Sequence, residues 1–379
     1  MRGLFLLTLA LMVPVAAEAR LPLPPSGQRP PPRIVSFAPP PSVVACQGGE
    51  AKLVESAPIH ARIWQPWVPP VMAGVTQQIP PPPSPPTTDI YTFSIDAEGA
   101  VIDLTRPSAP TQWPGDEQAA ALAKWRFAPG APARGCRLDL APTTVALSEA
   151  SPARLFEMIA LQGSQAPSAV REALSKRGDC QKQPVRRPQI VVYPDLRAFD
   201  NTSISPAWAG IQYGIDANGA VRDVTIVARG GEAAFADTAA ASVTESRFLS
   251  GSPRTACYAV FSASARATPA RPRPELKAYK RPGDSCEVTR EALYIPEAKM
   301  YPPAYAARKV PGWAILRFDV APWGAVGNIE VLASQPSDAF GAAARNLVAS
   351  ARPNPPASGY RGCLVPVTYA IPDAVEGDS

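Results

Sequence analysis

The sequence of 379 residues contains one histidine, His60. Ser/His/Asp and Cys/His catalytic sites and histidine-based zinc sites all need this residue, so the chain has little material for any of them. It also has no Cys-x-x-Cys pair for thiol redox chemistry and no glycine-rich phosphate loop after a predicted strand. These absences argue against an enzyme, and we expect no cofactor, no metal and no small-molecule substrate. An envelope hydrolase is the weakest alternative, and His60 itself is predicted to be a surface or helix residue.

Long apolar runs and massed basic residues are also scarce. The one long apolar run, residues 4–17, reaches only about 21 Å as a helix, whereas a membrane core is about 30 Å thick. Small residues at Ala17 and Ala19 complete the pattern of a signal peptide over residues 1–19, cleaved before Arg20, which predicts export to the periplasm. The alternative is an uncleaved inner-membrane anchor that faces the periplasm. The net charge of +5 is spread along the chain, which gives nucleic-acid binding no support.

Proline, in contrast, is abundant, with 48 residues in the chain. Most of it lies in three stretches, residues 21–41, 66–86 and 269–282. Such stretches favour extended polyproline II structure and act as semi-rigid spacers. The third overlaps a basic segment, residues 271–281, which we predict to be a solvated linker. Contact of this segment with an anionic surface, such as peptidoglycan or lipid headgroups, is the alternative.

A nine-residue pattern occurs three times without a gap, at residues 93–101, 213–221 and 318–326. Each copy has a glycine at its seventh position, with apolar residues 8, 6 and 4 positions before it and 2 and 5 positions after it. This alternation predicts two strands joined by a glycine turn. An alanine-rich helix follows each copy, at residues 117–125, 234–243 and 338–348, and a third strand closes each unit.

Two aspartates of this pattern, Asp96 and Asp216, could be mistaken for a repeated catalytic carboxylate. The third copy has Ala321 at the same position. Aspartate favours turns because its side chain bonds to the nearby backbone. We therefore predict that both aspartates are turn residues.

The six cysteines keep the same register as the glycines. Each unit has one cysteine on either side of its glycine, and an exported chain with this even spacing is expected to be oxidised. The repeat selects one pairing, namely Cys46–Cys136, Cys180–Cys257 and Cys286–Cys363. The wider spacing in the first unit matches the proline-rich insertion at residues 66–86. Each bond is expected to contribute about 4 kcal/mol by restricting the unfolded chain.

These patterns divide the chain into three modules and their connections. The predicted boundaries are a signal peptide at 1–19, a proline-rich segment at 20–45, module 1 at 46–147, a helical linker at 148–179, module 2 at 180–265, a basic linker at 266–285, module 3 at 286–372 and a tail at 373–379. The helical linker should contain one or two helices between residues 152 and 176. Whether it docks on module 2 or only joins the modules is left open by the sequence.

The third unit contains two further motifs, the segment Tyr-Pro-Pro-Ala-Tyr-Ala-Ala-Arg-Lys-Val-Pro-Gly-Trp at residues 301–313 and Phe340-Gly-Ala-Ala-Ala. With these motifs it resembles the C-terminal domain of TonB-type energy transducers. The second unit keeps Tyr193-Pro194 and Trp208, whereas the first keeps only the ending Lys124-Trp-Arg-Phe-Ala-Pro. The resemblance implies an α+β fold: a short helix, then β-β-α-β, with one main helix on one face of a small three-stranded antiparallel sheet. A helical crossover makes the third strand parallel to the second, which gives the strand order 2-1-3.

The resemblance also implies a function, because domains of this family bind an extended segment of an outer-membrane receptor by adding it to the sheet edge. Here the predicted partner-binding residues are Leu364, Val365, Val367, Thr368 and Tyr369. Pro366 lies among them and marks an edge strand, which is either open to a partner or protected from aggregation. We therefore predict a non-enzymatic periplasmic binding protein for an envelope partner such as a TonB-dependent receptor. The alternative is a membrane-anchored energy transducer, from which this chain departs in its cleavable apolar run and its three modules.

Overall fold

The computed structural model describes residues 31–65, 87–107, 117–195, 197–286, 301–353 and 358–371. It shows a mixed α+β protein built from several small sheets, with three disulfides. The predicted signal peptide, the insertion at 66–86 and the tail at 373–379 lie outside the described residues. No helix in the described ranges is both long enough and apolar enough to span a membrane.

The described elements are as follows. The strands are β1 Arg33–Phe37, β2 Val43–Cys46, β3 Gly49–Glu55, β4 Arg62–Trp64, β5 Asp89–Ile95, β6 Val101–Thr105, β7 Arg126–Phe127, β8 Ala133–Leu140, β9 Pro142–Ala146, β10 Pro188–Ile190, β11 Trp208–Ile215, β12 Val221–Gly230, β13 Arg247–Phe248, β14 Arg254–Ser262, β15 Gly312–Val320, β16 Val326–Gln335 and β17 Tyr360–Tyr369. The helices are α1 Glu117–Leu122, α2 Pro152–Gln162, α3 Ser168–Ser175, α4 Ala233–Glu245, α5 Pro303–Ala307 and α6 Asp338–Ala349, and 3₁₀ turns occur at Gly163–Gln165, Arg197–Phe199 and Leu276–Tyr279.

Three of the sheets share one antiparallel strand order. The first sheet is β6-β5-β8, the second is β12-β11-β14 and the third is β16-β15-β17. In each, the first strand of the hairpin lies in the centre, as the order 2-1-3 predicts. Helix α4 packs on the second sheet and α6 on the third, whereas the shorter α1 contacts β6 of the first. The disulfides join the three cysteine pairs that the register predicts.

The glycine turn and a bulge beyond it explain the spacing of the apolar positions. Gly99 has φ +80°, and a side chain there would also clash with the carbonyl of Phe127. Asp103, Asp223 and Asn328, each four residues after its glycine, have φ of 51°, 52° and 51°. Aspartate and asparagine tolerate this left-handed conformation better than other side chains do. The resulting irregularity moves the next buried residue to the fifth position after the glycine instead of the fourth.

The aspartates of the turn also behave as the pattern predicts. Asp96 Oδ1 accepts a hydrogen bond from the Ala100 backbone N–H at 2.7 Å. Asp216 Oδ1 accepts from the backbone N–H groups of Asn218 and Ala220, both at 2.9 Å. Both carboxylates therefore stabilise turns.

Among the described residues, the predicted short helix before the first strand is present in front of the third sheet, where α5 ends five residues before β15. The second sheet is preceded by the 3₁₀ turn Arg197–Phe199 instead. For the first sheet, the residues in question belong to 66–86, outside the described ranges. Helix α1 is shorter than predicted because the chain leaves it to form β7, which pairs with β3.

The proline-rich N-terminal segment is not a spacer throughout. Strand β1, inside the stretch predicted as polyproline II, is the central strand of a sheet in the order β4-β1-β9. Ile34 and Val35 on it are fully buried. The spacer prediction is wrong for these residues, since burial of a β-branched pair and two flanking strands outweigh the local proline content.

The two linker helices dock on the second sheet, which settles the question left open by the sequence. Helices α2 and α3 contact strands of the second sheet, α2 all three of them. The ring of Phe156 is fully buried against Gly210, where any side chain would clash with it. Phe156 also meets the ring of Tyr258 edge-on, with 5.6 Å between centroids. The second sheet is thus covered on both faces by helices.

The first and third sheets share one hydrophobic core, although they are far apart in sequence. The backbone N–H of Leu104 donates to the carbonyl of Pro336 at 2.9 Å. Asp103 and Gln335 exchange two hydrogen bonds beside it, at 3.1 and 2.6 Å. These contacts join the β6 edge of the first sheet to the end of β16 in the third.

The basic linker contributes to the same junction. Arg271, with an 11% exposed side chain, pairs with Asp96 at 2.7 Å and donates to the Val101 carbonyl at 2.6 Å. Thr268 is buried, and its backbone N–H donates to the carbonyl of Lys309. The prediction of a solvated linker over residues 271–281 is therefore wrong at Arg271, although most of that segment is exposed.

Candidate interaction surface along the third sheet

Strand β17 carries all five residues predicted to bind a partner. Within the described residues it pairs only with β15, which makes it an edge strand. Side chains alternate along it, so Val365, Val367 and Tyr369 are 1–3% exposed and point into the core. Leu364 is half-buried and Thr368 is exposed. Only these last two side chains can contact a partner, and the other three can take part only through their backbone.

An aromatic cluster fixes β17 against α6 and α5. The ring of Tyr369 lies 5.3 Å from that of Tyr301 and 5.4 Å from that of Phe340, and Tyr305 lies 4.8 Å from Phe340. The Tyr301 hydroxyl donates to the Val310 carbonyl at 2.7 Å. Burial, with a smaller contribution from Tyr369, raises the pKa of Tyr301. These rings hold the buried side of β17 rigidly in place.

The beginning of the β17 edge is occupied by the chain itself. The backbone N–H of Ser285 donates to the carbonyl of Arg361 at 3.0 Å, and the N–H of Arg361 donates to Ser285 Oγ at 3.3 Å. The Cys286–Cys363 disulfide follows directly. An added strand therefore cannot pair with β17 before Leu364.

The other two third strands are flanked in the same way. The N–H of Gln47 donates to the Arg134 carbonyl at 2.9 Å beside β8, and β2 contacts β8. The N–H of Asp179 donates to the Ala256 carbonyl at 3.0 Å beside β14. In each case the segment leading to the first cysteine of a disulfide lies along the strand that holds the second. The sequence register predicts the disulfides but not this coverage of the edge.

Ion pairs hold the covering segment, residues 276–286, on the third sheet. Arg317 Nη1 donates to Asp284 Oδ2 at 2.8 Å, and Arg281 binds both carboxylate oxygens of Glu330 at 3.1 and 3.0 Å. The hydrogen bond from Arg317, with help from the Arg281 backbone N–H, lowers the pKa of Asp284 to about 2. The 3₁₀ turn Leu276–Tyr279 contacts β17.

The central strand of the third sheet, β15, is buried on both faces. On β15, Trp313 and Ile315 point to one face and Ala314 and Leu316 to the other, and all four are buried. Among the described residues, the β17 edge from Leu364 to Tyr369 has no strand paired with it on the side away from β15.

One exposed residue on this domain was missed by the sequence analysis. Trp323, at the tip of the β15–β16 hairpin, is 80% exposed. The first and second units have Glu98 and Asn218 at the same turn position. The signal was therefore present in the sequence, since tryptophan is unusual in a solvent-exposed turn and is enriched at interfaces.

His60 is neither in a helix nor on the open surface. It precedes β4 in an irregular segment, its side chain is 18% exposed, and its Nδ1 lies 2.9 Å from Glu117 Oε1. The prediction of a surface or helix residue is wrong, because a non-local ion-pair cluster holds this side chain. In the part of the chain that the structure describes, no group of three His, Cys, Asp or Glu side chains could hold a metal ion.

A scan of protein families matches residues 297–372 to the family described as Gram-negative bacterial TonB protein C-terminal. This range contains α5, the whole third sheet and α6. Residues 297–372 form a TonB C-terminal domain. Comparison with curated proteins and with solved structures gave no match.

The TonB C-terminal domain indicates a protein-interaction role in the cell envelope, in a family that is not enzymatic. It also explains the sequence of the aromatic cluster, since Tyr301 and Tyr305 belong to the segment that carries the resemblance. The match does not extend to the first and second sheets.

Proposed function

We propose that this protein is a periplasmic interaction protein with three TonB C-terminal-like modules, and that it binds an extended segment of an outer-membrane receptor or another envelope protein by strand addition to β17. The observation that carries the proposal is the edge from Leu364 to Tyr369, which pairs with β15 on one side only within the described residues. Backbone hydrogen bonds to this edge would supply affinity, and alternate side chains would supply register.

The edge specifies what such a partner must look like. The part of the partner that pairs with β17 is limited to the stretch after Cys363, because Ser285 occupies the edge before it. Pro366 donates no hydrogen bond, so the partner needs no acceptor opposite it. Leu364 and Thr368 are the side chains that would contact the partner from β17.

Three similar modules are supported by the shared strand order, the shared left-handed position after the hairpin and one disulfide in each unit. The third strand of each module is flanked at its beginning: β8 by β2, β14 by residues 177–180, where the Tyr258 hydroxyl donates to the Arg177 carbonyl at 3.2 Å, and β17 by Ser285. We assign partner binding to the third module, because residues 297–372 match the TonB C-terminal family, and scaffolding to the other two.

The test is a covalent block of one edge or the other. All six native cysteines form disulfides, so a single new cysteine in the full chain can be labelled with a bulky maleimide. Thr368→Cys places the label on the β17 edge. Gly327→Cys places it on the opposite edge, β16, where a Cβ at Gly327 has no atom within 4 Å and the label causes no clash. Peptides that copy the extended N-terminal segments of TonB-dependent receptors serve as probes.

The label at position 368 should weaken peptide binding at least about tenfold, whereas the label at 327 should leave it unchanged. Unchanged binding with the 368 label, or no binding of any peptide to the unlabelled chain, contradicts strand addition at β17. Loss of binding with the 327 label alone would move the site to β16. Cell fractionation with intact-mass measurement tests the location, since a periplasmic protein that begins at Arg20 is expected.

A further inference from the structure

A cavity of about 590 Å³ lies between residues of the first, second and third modules. It is bounded by the end of α2, by the chain just after β14 and by α5, with side chains of the first module on the remaining side. Its volume is within the usual range for small-ligand sites, which often lie between domains. It is separate from the β17 edge, and the sequence predicts no ligand for it.

Lys124 is the most buried charged side chain of the cavity, at 1% exposure. Its Nζ donates to the carbonyls of Arg266 at 2.6 Å and Arg308 at 3.0 Å. Two of its three N–H groups are thereby used, and both acceptors are uncharged. Burial, followed by repulsion from Arg308 and Lys309, lowers the pKa of Lys124 to about 8. The ammonium group therefore lacks an anionic partner among the described residues.

The carboxylate among the described residues that line the cavity, Glu117, is already paired. Glu117 Oε1 accepts hydrogen bonds from Arg308, including one from Nε at 2.7 Å, and also lies 2.9 Å from His60 Nδ1. Burial alone would raise the pKa of Glu117, but Arg308 and His60 outweigh it and hold the pKa below its usual value. The second oxygen, Oε2, is buried and accepts no hydrogen bond from any described residue.

The cavity therefore combines an excess of positive charge with one unused acceptor. Three cationic side chains line it, Lys124, Arg308 and Lys309, and among the described lining residues Glu117 is the one carboxylate. Lys309 bonds only weakly, with Nζ 3.4 Å from Asn201 Oδ1. A buried charge without a counter-ion is costly, and buried polar atoms without partners call for a ligand, an ion or water.

We propose that this cavity binds a small oxyanion that carries a proton, namely hydrogen phosphate. Lys124 and Lys309 supply positive charge and N–H donors to its oxygens. Glu117 Oε2 accepts the hydrogen bond of its P–OH group, which makes this carboxylate the specificity-determining residue. Sulfate has the same shape but no proton at neutral pH, so it meets the Glu117 carboxylate without a hydrogen bond.

The test is calorimetric titration of the full chain with inorganic phosphate at constant ionic strength in chloride. Sulfate is titrated in parallel as the unprotonated control anion. Lys124→Met removes the buried ammonium with little change in volume, and Lys277→Met, at a lysine whose side chain is 81% exposed in the linker, is the matched control. Because the first variant removes two internal hydrogen bonds, Lys309→Gln provides a second variant on the same cavity that leaves the fold intact.

Phosphate should bind the native chain and the Lys277→Met variant equally, and should bind about tenfold or more weakly to Lys124→Met. Lys309→Gln should weaken binding several-fold. Phosphate binding should also raise the pKa of Lys124, measured by NMR of its side chain, because an anion favours the charged form. Absence of binding, equal binding to Lys309→Gln and the native chain, or equal binding of sulfate and phosphate would each overturn the proposal.

Discussion

The second and third sheets have the same strand order and the same helix on one face, but their other faces are closed by different means. The second sheet is covered by α2 and α3, with the buried ring of Phe156 at the contact. The third sheet is crossed by a covering segment held by the ion pairs of Arg317 with Asp284 and of Arg281 with Glu330. The second sheet is thus covered through an apolar contact, whereas ion pairs hold the segment that crosses the third sheet.

A single position in the central strand accounts for much of this difference. Gly210 lies nine residues before the turn glycine of the second sheet, and Ile315 lies nine residues before that of the third. Both face their third strands at equivalent registers, opposite Val260 and Pro366. The absence of a side chain at Gly210 creates the space for the ring of Phe156. The Arg281–Glu330 pair is about half exposed and is therefore weak and dependent on salt, whereas the Arg317–Asp284 pair, 16% and 10% exposed, and the Cys286–Cys363 disulfide hold the covering segment more firmly.

The largest effect is expected from Phe156→Ala, which should lower the free energy of unfolding by about 3–5 kcal/mol because it leaves a cavity between α2 and the second sheet. Hydrogen exchange should accelerate in α2, α3 and β14 and remain slow in β15. Phe340→Ala, which removes a fully buried ring from the third sheet, is the matched control and should show the reverse pattern. Equal acceleration in both regions by either change would mean that the two sheets unfold as one unit.

A somewhat smaller effect is expected from Gly210→Ala. The new methyl group clashes with the Phe156 ring, so α2 must shift, at a cost of about 1–3 kcal/mol. Urea unfolding followed by circular dichroism measures the loss. Gly327→Ala, on an edge strand with open space at its Cβ, is the control and should change the free energy of unfolding little. No difference between the two variants would show that α2 does not depend on this contact.

Acid should release residues 276–286 from the third sheet before α2 leaves the second sheet. The change in the free energy of unfolding should be smaller than that of Gly210→Ala. The hydrogen bond from Arg317 lowers the pKa of Asp284 to about 2, against an ordinary value of 3.8. A carboxyl whose pKa is lower in the folded state stabilises the fold above its unfolded pKa, and this contribution is lost as the pH falls from about 4 towards 2. Hydrogen exchange of residues 276–286 should therefore increase in this interval, while α2 stays protected.

Replacing Arg317 separates this effect from general acid unfolding. In Arg317→Met, residues 276–286 should exchange faster already at neutral pH, and acid should add little more. Persistence of the full acid response in that variant would assign it to other carboxylates.

The smallest effect concerns a feature that the two sheets share. Asp223→Gly and Asn328→Gly each place a glycine at the left-handed position of a hairpin, which glycine adopts without strain. We expect each to change the free energy of unfolding by less than about 1 kcal/mol. Asp223→Val should destabilise by clearly more, because a β-branched residue does not tolerate this conformation. Thermal unfolding of the three variants measures the order. A neutral valine would contradict the left-handed geometry at this position.

The sequence predicts the parts of this fold that depend on local patterns. Alternation around the turn glycine predicts the hairpins, and the cysteine register predicts Cys180–Cys257 and Cys286–Cys363 with their counterpart in the first unit. The sheet formed by β4, β1 and β9 was missed, because its strands lie far apart in the chain and β1 lies within a proline-rich stretch. The contact of Phe156 with Gly210 was missed for the same reason.

At the candidate site, too, the sequence predicts what depends on local patterns and misses contacts between distant segments. The sequence assigned all five β17 residues to partner binding, whereas alternation along the strand turns Val365, Val367 and Tyr369 to the core and leaves Thr368 exposed. No local pattern could predict that Ser285 occupies the start of this edge, because that contact joins segments 76 residues apart. The cluster around Lys124 is non-local in the same sense, since its two partners, Arg266 and Arg308, lie 142 and 184 residues away in the chain.

The disulfides also determine how the chain would respond to a pulling force along its length. Each bond connects the segment that enters a sheet with the third strand of the same sheet, at separations of 90, 77 and 77 residues. Tension between the two ends would therefore pass through the sulfur atoms and bypass every hairpin. Only the connections at residues 137–179 and 258–285 would bear load between the bonds. The docked helices, the basic linker and the parts of β8 and β14 that follow Cys136 and Cys257 would thus yield first, while the three hairpins remain folded.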